Sequence, residues 1–312
     1  MKNVFAYDLY GTTLMSDVPL PGYDVHTISY IGENTIKLSW SVLQNKIIPR
    51  GEDFIGSNGY IECYQFSSGK LLCTPDISIV ITRNSIEVFA PCERIREALL
   101  ICVNTGITLC LYLRGFLVLH ASAVCCENGL CAFTSNSGAG KSTLCLFLST
   151  ANQMHFFGDD IVPVLTENEA VYAYPLNSGN PKAGISITQK IHFGEQTCMG
   201  ISYAYDNVEF YYNLNPAIKA KSKRKLNCLY ILKSDQSKRT YITSYEKDSI
   251  PARILAACHS VWALNKRERA MLIIRSRKVA ELIDVSELKY ERSYEKLPEI
   301  GDILLQHLQG IR

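Results

Sequence analysis

The stretch Ser135-Asn136-Ser137-Gly138-Ala139-Gly140-Lys141-Ser142-Thr143 constrains this chain more than any other part of it. Glycines spaced as Gly138 and Gly140 are let main-chain N–H groups turn inward with no Cβ in the way, which is how a loop approaches oxyanions. The apolar run Leu130–Thr134 precedes the loop, and a helical pattern follows from Lys141 to about Thr150. The loop would therefore open a helix whose N-terminal dipole favours negative charge. In that setting Asn136, Ser137, Gly138, Ala139, Gly140, Lys141, Ser142 and Thr143 would cradle the phosphates of a nucleotide. Lys141 would reach the β- and γ-phosphates, and the Ser142 hydroxyl would complete the shell of a Mg2+ ion. The pattern G-x-x-x-x-G-K-[ST] starts with glycine where this chain has Ser135, and serine fits there if its φ is negative. The alternative is a glycine-rich turn that caps a helix and binds nothing.

Asp159 and Asp160 follow the apolar strand Met154–Phe157 at a distance from Lys141 that suits a crossover helix and a return strand beside the first. Such a return carries the acids to the loop end of the sheet. One carboxylate would hold Mg2+, directly or through water, and the other would orient or deprotonate an attacking hydroxyl, as phosphoryl transfer requires. A solvated pair opening a turn is the alternative. Glu127-Asn128-Gly129-Leu130 predicts a hairpin, and a two-residue turn at Asn128-Gly129 sets His120 opposite Ser137. A histidine there would hydrogen-bond the acidic base or share its proton, while a core histidine satisfied by backbone is equally open.

The chain has 312 residues, room for two domains, and at 47% hydrophobic and 20% charged it is neither disordered nor fibrous. With 32 Lys+Arg against 30 Asp+Glu the net charge is +2, so no global field draws nucleic acid or an anionic membrane. The cluster Lys219–Lys225 lacks aromatic interleaving and reads as a solvated loop that would attract an acidic peptide. The N-terminus lacks the pattern of a signal peptide, and Ala98–Leu113 is too short and polar for a membrane span, so a buried helix is expected. The cysteines sit mostly in apolar surroundings with no C-x-x-C, which predicts reduced thiols, no structural metal and a cytoplasmic protein. Short alternating runs separated by turn clusters make residues 1–93 a β-rich N-terminal module. Residues 94–312 start with a helix over Arg94–Leu113 and become α/β, with a strand over Phe116–Val124 and helices over Pro251–Leu264 and Leu297–Leu308.

Leu119-His120-Ala121-Ser122-Ala123-Val124, the loop Ser135–Thr143 and Gly158-Asp159-Asp160-Ile161-Val162 together resemble the kinase domain of the HPr kinase/phosphorylase family, most closely over Gly115–Leu165. The resemblance implies an α/β P-loop kinase domain of HPr-kinase type over 94–312, a mixed sheet with flanking helices. It implies an active site of His120, Lys141, Asp159 and Asp160 that uses ATP and Mg2+, with one aspartate acting as base towards a serine hydroxyl. Tyr7-Asp8-Leu9-Tyr10-Gly11 and Leu20-Pro21-Gly22 resemble a subset found beside peptide-modifying enzymes, including lasso-peptide precursor kinases, which phosphorylate a serine of a ribosomally made peptide.

The expected roles are Ser142 and Asp159 at the metal and Asp160 as base, assisted by His120. Lys182 lies where this family has a proline-containing loop with a basic residue, and is expected to face the phosphoryl group or the substrate. Lys190 is a second choice, and each is otherwise a solvated surface lysine. The expected protein is a kinase for a peptide or protein serine, with no nucleic-acid or membrane partner, and the family's tendency to assemble implies a homo-oligomer. Two rivals remain: a kinase for a small-molecule hydroxyl, and a nucleotide-bound module that recognises a peptide and transfers nothing.

Overall fold

On several strands among the described residues of the first ninety, side chains alternate between more and less buried positions. This period of two builds a sheet, while two central strands are buried on both faces. The computed structural model describes residues 4–25, 34–42, 47, 53–66, 69–127, 129–136, 138–151, 154–184, 198–203, 209–235 and 239–310. Strands β1 (Phe5–Leu9), β2 (Thr12–Ser16), β3 (Thr35–Val42), β4 (Phe54–Ser57), β5 (Glu62–Phe66), β6 (Gly69–Cys73), β7 (Ser78–Ile81) and β8 (Ser85–Ala90) form one sheet in the order β1-β2-β3-β8-β7-β6-β5-β4. On β3, Ile36 and Leu38 are buried while Lys37 and Ser39 are exposed. The chain then becomes helical through α1 (Ile95–Ile101), a π-helical turn at Cys102–Gly106 and α2 (Ile107–Leu113). By length and composition alone the helix Cys92–Leu113 is apolar enough to cross a membrane, and 72% of its apolar window is buried inside the protein. It packs as a core helix, in agreement with the buried helix expected for Ala98–Leu113.

The strand expected over Phe116–Val124 is two strands, β9 (Leu117–Leu119) and β10 (Ala121–Cys126), broken at His120. They are followed by β11 (Gly129–Thr134), α3 (Lys141–Ala151), β12 (His155–Gly158), β13 (Val162–Glu167) and β14 (Ala170–Ala173). A small sheet of β15 (Lys182–Gly184), β16 (Cys198–Tyr203) and β17 (Glu209–Leu214) comes next. The chain ends with β18 (Arg224–Ser234), β19 (Tyr241–Ser244), α4 (Ile250–Ala256), α5 (Lys266–Ala280), β20 (Asp284–Tyr290) and α6 (Leu297–Gly310). The main sheet runs β12-β10-β11-β18-β14-β13-β9, with β20 beside β18 and β19 beside β20. Strand β18 is parallel to both β11 and β20, so the sheet is mixed and the architecture is α/β with several sheets.

Two expectations about pairing are corrected. Strand β12 does not lie beside β11; it pairs antiparallel with β10, because β18 occupies the other edge of β11. The hairpin is also shifted, since its pairs run from Ala121↔Thr134 to Cys126↔Gly129, so Gly129 is paired in the ladder and the turn expected at Asn128-Gly129 does not form as such. That register sets His120 towards Ser135 rather than Ser137, and Ser137 lies outside the described residues. The cause is Asn227, whose side chain accepts from the Leu130 N–H at 3.0 Å and would lie 2.4 Å from a Cβ at position 129. Glycine suits position 129 on two counts, its φ of +147° and the close approach of the Asn227 side chain. The basic cluster is not wholly a solvated loop either. Lys219 is buried against Asp24 at 2.7 Å, and Arg224 and Lys225 open β18.

Lys70 on β6 is fully buried, and its ammonium pairs with Glu268 at 2.6 Å. Glu268 is also the third residue of α5, where it closes a capping box with Asn265. One carboxylate thus caps a late helix and neutralises a desolvated charge in the first sheet. Glu268→Gln keeps the cap and removes the charge. Because an orphaned buried ammonium is costly, it is expected to destabilise the protein by about 3 kcal/mol, and a urea midpoint equal to that of the unsubstituted protein would contradict this.

Candidate active site

Two antiparallel stretches of chain change partners at the same point. Strand β10 pairs with β12 at Ala123↔Gly158, and β9 pairs with β13 at Leu119↔Val162, so the shared register faces Ser122 towards Asp159. His120 fills the break in one stretch, and Asp159 and Asp160 fill the break in the other. The Ile161 N–H donates to the Asp159 carbonyl at 2.8 Å, and Asp160 between them has φ +63°. This is a γ-turn with a left-handed residue at its centre, a strained geometry that aspartate tolerates better than most residues.

The two carboxylates have different surroundings. Asp159 is buried, accepting from the Ser122 hydroxyl at 2.5 Å and from the Lys182 backbone N–H at 2.9 Å. Burial, and then the charge of Asp160, push its carboxyl up to about 6. Asp160 pairs with the Lys182 ammonium at 2.5 Å and lies 4.0 Å from His120 Nε2. Burial works to raise its pKa too, but Lys182 outweighs it, with help from His120 and His259, and holds this carboxyl below the usual range. Burial, Lys141 and Lys182 lower the His120 pKa against the opposing pull of Asp160, so the ring is neutral at pH 7.

Gly138 has φ +77° and Gly140 φ +94°, conformations that glycine alone takes at little cost. Ser135 keeps a negative φ, the condition under which serine can stand at that place. The Lys141 ammonium is buried and donates to the Ser135 carbonyl at 3.1 Å, joining the two ends of the loop. Beside the loop is a polar cavity of about 440 Å³, onto which Ser142, His120, Asp160 and Lys182 all open. Four residues expected at the site are thus brought to one space. Asp159, expected at the metal, does not line this space and instead stands behind it with both oxygens engaged. Lys182 is ion-paired and partly buried rather than a solvated surface lysine. Lys190 lies outside the described residues.

His259 is a member of this cavity that sequence reasoning missed. The helix expected to run from Pro251 to Leu264 stops at Ala256. Its continuation pairs with β9: the Ala257 carbonyl accepts from His120 N–H at 2.7 Å, and His259 N–H donates to the Val118 carbonyl at 2.9 Å. This bridge brings the His259 ring edge-on to His120, with centroids 5.2 Å apart. Burial, and then His120, drive the His259 pKa down to about 4. No local spacing signals that meeting. Asn58, from the connection between β4 and β5, also reaches the cavity wall, so the first sheet borders the site.

Among the described residues, no group of three or more His, Cys, Asp or Glu side chains is arranged to hold a metal. A hydroxyl with one or two carboxylates is instead the donor set from which Mg2+ completes its shell with phosphate and water. No family model matches this sequence, and no curated protein does. Among solved structures the chain is similar to the Hpr(Ser) kinase/phosphatase from Coxiella burnetii, with a TM-score of 0.34 and 11% sequence identity over 61% of this chain and 95% of that one.

Because the His259 pKa is depressed on folding, the unfolded chain binds more protons between about pH 4 and 6.5. Its contribution to stability is therefore complete above about pH 6.5 and is lost as pH falls towards 4, by at most about 1.4 kcal/mol per pH unit. His259→Gln is expected to remove that slope when urea midpoints are compared across this range. Parallel pH profiles for the variant and the unsubstituted protein would show that no buried neutral histidine is involved.

Proposed function

We propose that this chain is an ATP- and Mg2+-dependent phosphotransferase that moves the γ-phosphoryl group of ATP to a hydroxyl, namely a serine of a peptide or protein. What carries this is the cavity shared by Ser142, from the first turn after the glycine-rich loop, with Asp160, His120 and Lys182. On this reading residues 136–143 are a phosphate loop, whose N–H groups and Lys141 balance charge on the β- and γ-oxygens. Mg2+ would supply further neutralisation there, held by the Ser142 hydroxyl and by Asp160 through water, while Asp159 stays engaged behind the cavity. The acceptor oxygen forms a bond to the γ-phosphorus, the bond to the ADP oxygen breaks, and Asp160 takes the hydroxyl proton.

A carboxylate held low by Lys182 is ionised but weakly basic. Lys182 can exchange Asp160 for a phosphoryl oxygen, and Asp160 then gains basicity at the moment it is needed. Neutral His120 can receive or relay that proton. Asp159 fixes Ser122 and the Lys182 backbone, and so aims the Lys182 ammonium. Asn58 and Trp262 extend the cavity wall beyond the reacting groups, which supports an acceptor with more than a bare hydroxyl to bind.

Incubation with γ-labelled ATP, Mg2+ and candidate acceptors is expected to label a peptide serine. Asp160→Asn, which tolerates the same left-handed backbone, should retain nucleotide affinity and lower transfer about a thousandfold. Unchanged transfer would remove Asp160 from the mechanism. Label on a metabolite would move the acceptor to a small molecule, and bound but intact ATP would make the protein a binding module.

A further inference from the structure

A nucleotide has an aromatic end as well as a charged one, and the glycine-rich loop borders a second cavity of different chemistry. This one holds about 210 Å³ and meets the loop at Gly140. Thr143 and Leu144 of α3 form one wall; Tyr290 at the end of β20, then Arg292, Tyr294 and Leu297, form the other. Successive residues on a helix point about 100° apart, so Ser142 opens onto the polar cavity and Thr143 onto this one. Leu144 and Leu297 are buried and two tyrosines face the space, which leaves it mostly apolar with a single charge from exposed Arg292. The far wall is bonded to the loop itself, because the Tyr290 hydroxyl donates to the Ala139 carbonyl at 2.7 Å.

We infer that this cavity takes the purine base of the nucleotide whose phosphates rest on the loop, with Tyr294 as its stacking face and Arg292 at its edge. The inference rests on the phosphate-loop reading above. The acceptor hydroxyl must meet Asp160 and His120, which line the other cavity, so the acceptor does not compete for this one. A small, largely apolar space with few polar groups suits a flat heterocycle, and rings of this kind bind bases of any sequence by stacking. The loop then separates the two ends of one ligand, with the charged end beside the acids and the aromatic end beside the tyrosines.

Calorimetry on the full chain with Mg2+ tests this, using ATP and inorganic triphosphate as separate ligands. The unsubstituted protein is expected to bind ATP at least about tenfold more tightly than inorganic triphosphate. Tyr294→Ala should weaken ATP about tenfold and leave inorganic triphosphate unchanged, which also shows that the variant is folded. Tyr294→Phe, which keeps the ring, should restore ATP affinity. Equal affinity of the unsubstituted protein for the two ligands, or ATP binding unaffected in Tyr294→Ala, would overturn the base pocket while the phosphate loop stands. Binding of neither ligand would remove the phosphate loop, and the base pocket with it.

Discussion

Two neighbouring carboxylates in a buried turn cannot both stay charged unless each is met by its own partner, and Lys182 meets both. Its backbone N–H goes to Asp159 and its ammonium to Asp160. One residue therefore favours the charged form of both carboxyls and holds Asp160 ionised, while burial and the Asp160 charge still push Asp159 up to about 6. The segment that delivers Lys182 is itself held from the N-terminus. Tyr10 N–H donates to the Pro175 carbonyl, Ser178 N–H to the Asp8 carbonyl and Asn180 N–H to the Gly22 carbonyl, at 2.9, 2.9 and 3.2 Å. The residues Tyr7–Gly11 and Leu20–Gly22 thus act as a support for the acids.

The first sheet reaches the site by a second route. A Cβ on Gly56 of β4 would lie 2.3 Å from the Trp262 carbonyl, so β4 packs directly on the segment that carries His259 and Ser260. The Lys70–Glu268 pair fixes the same face of the sheet to the start of α5, just beyond that segment. Asn58 at the cavity wall is the end of this chain of contacts.

Local signals made much of this legible in the sequence. The glycine-rich loop and the acidic pair are written in short spacings, and the helices expected over Arg94–Leu113 and Leu297–Leu308 are written in a period of 3.6 and form close to those bounds. Long-range pairing was not legible. The break at His120, the strand between β11 and β12, and the helix end at Ala256 depend on which backbone groups meet across the sheet. His259 was invisible for the same reason, because only its bridge to β9 brings it to His120. Gly129 misled because a turn glycine and a glycine that admits a neighbouring side chain look alike in one dimension. Lys182 was reached through family resemblance, but its backbone N–H, which does half its work, has no signature in a sequence.

The most direct test is a crystal structure with Mg2+ and a nonhydrolysable ATP analogue. The account predicts β-phosphate oxygens on the amides of residues 136–143 with the Lys141 ammonium against them, and a γ-phosphoryl group facing Lys182 and Asp160. An ordered nucleotide bound elsewhere, with the loop bare and Lys141 turned away from it, would contradict the account at its centre.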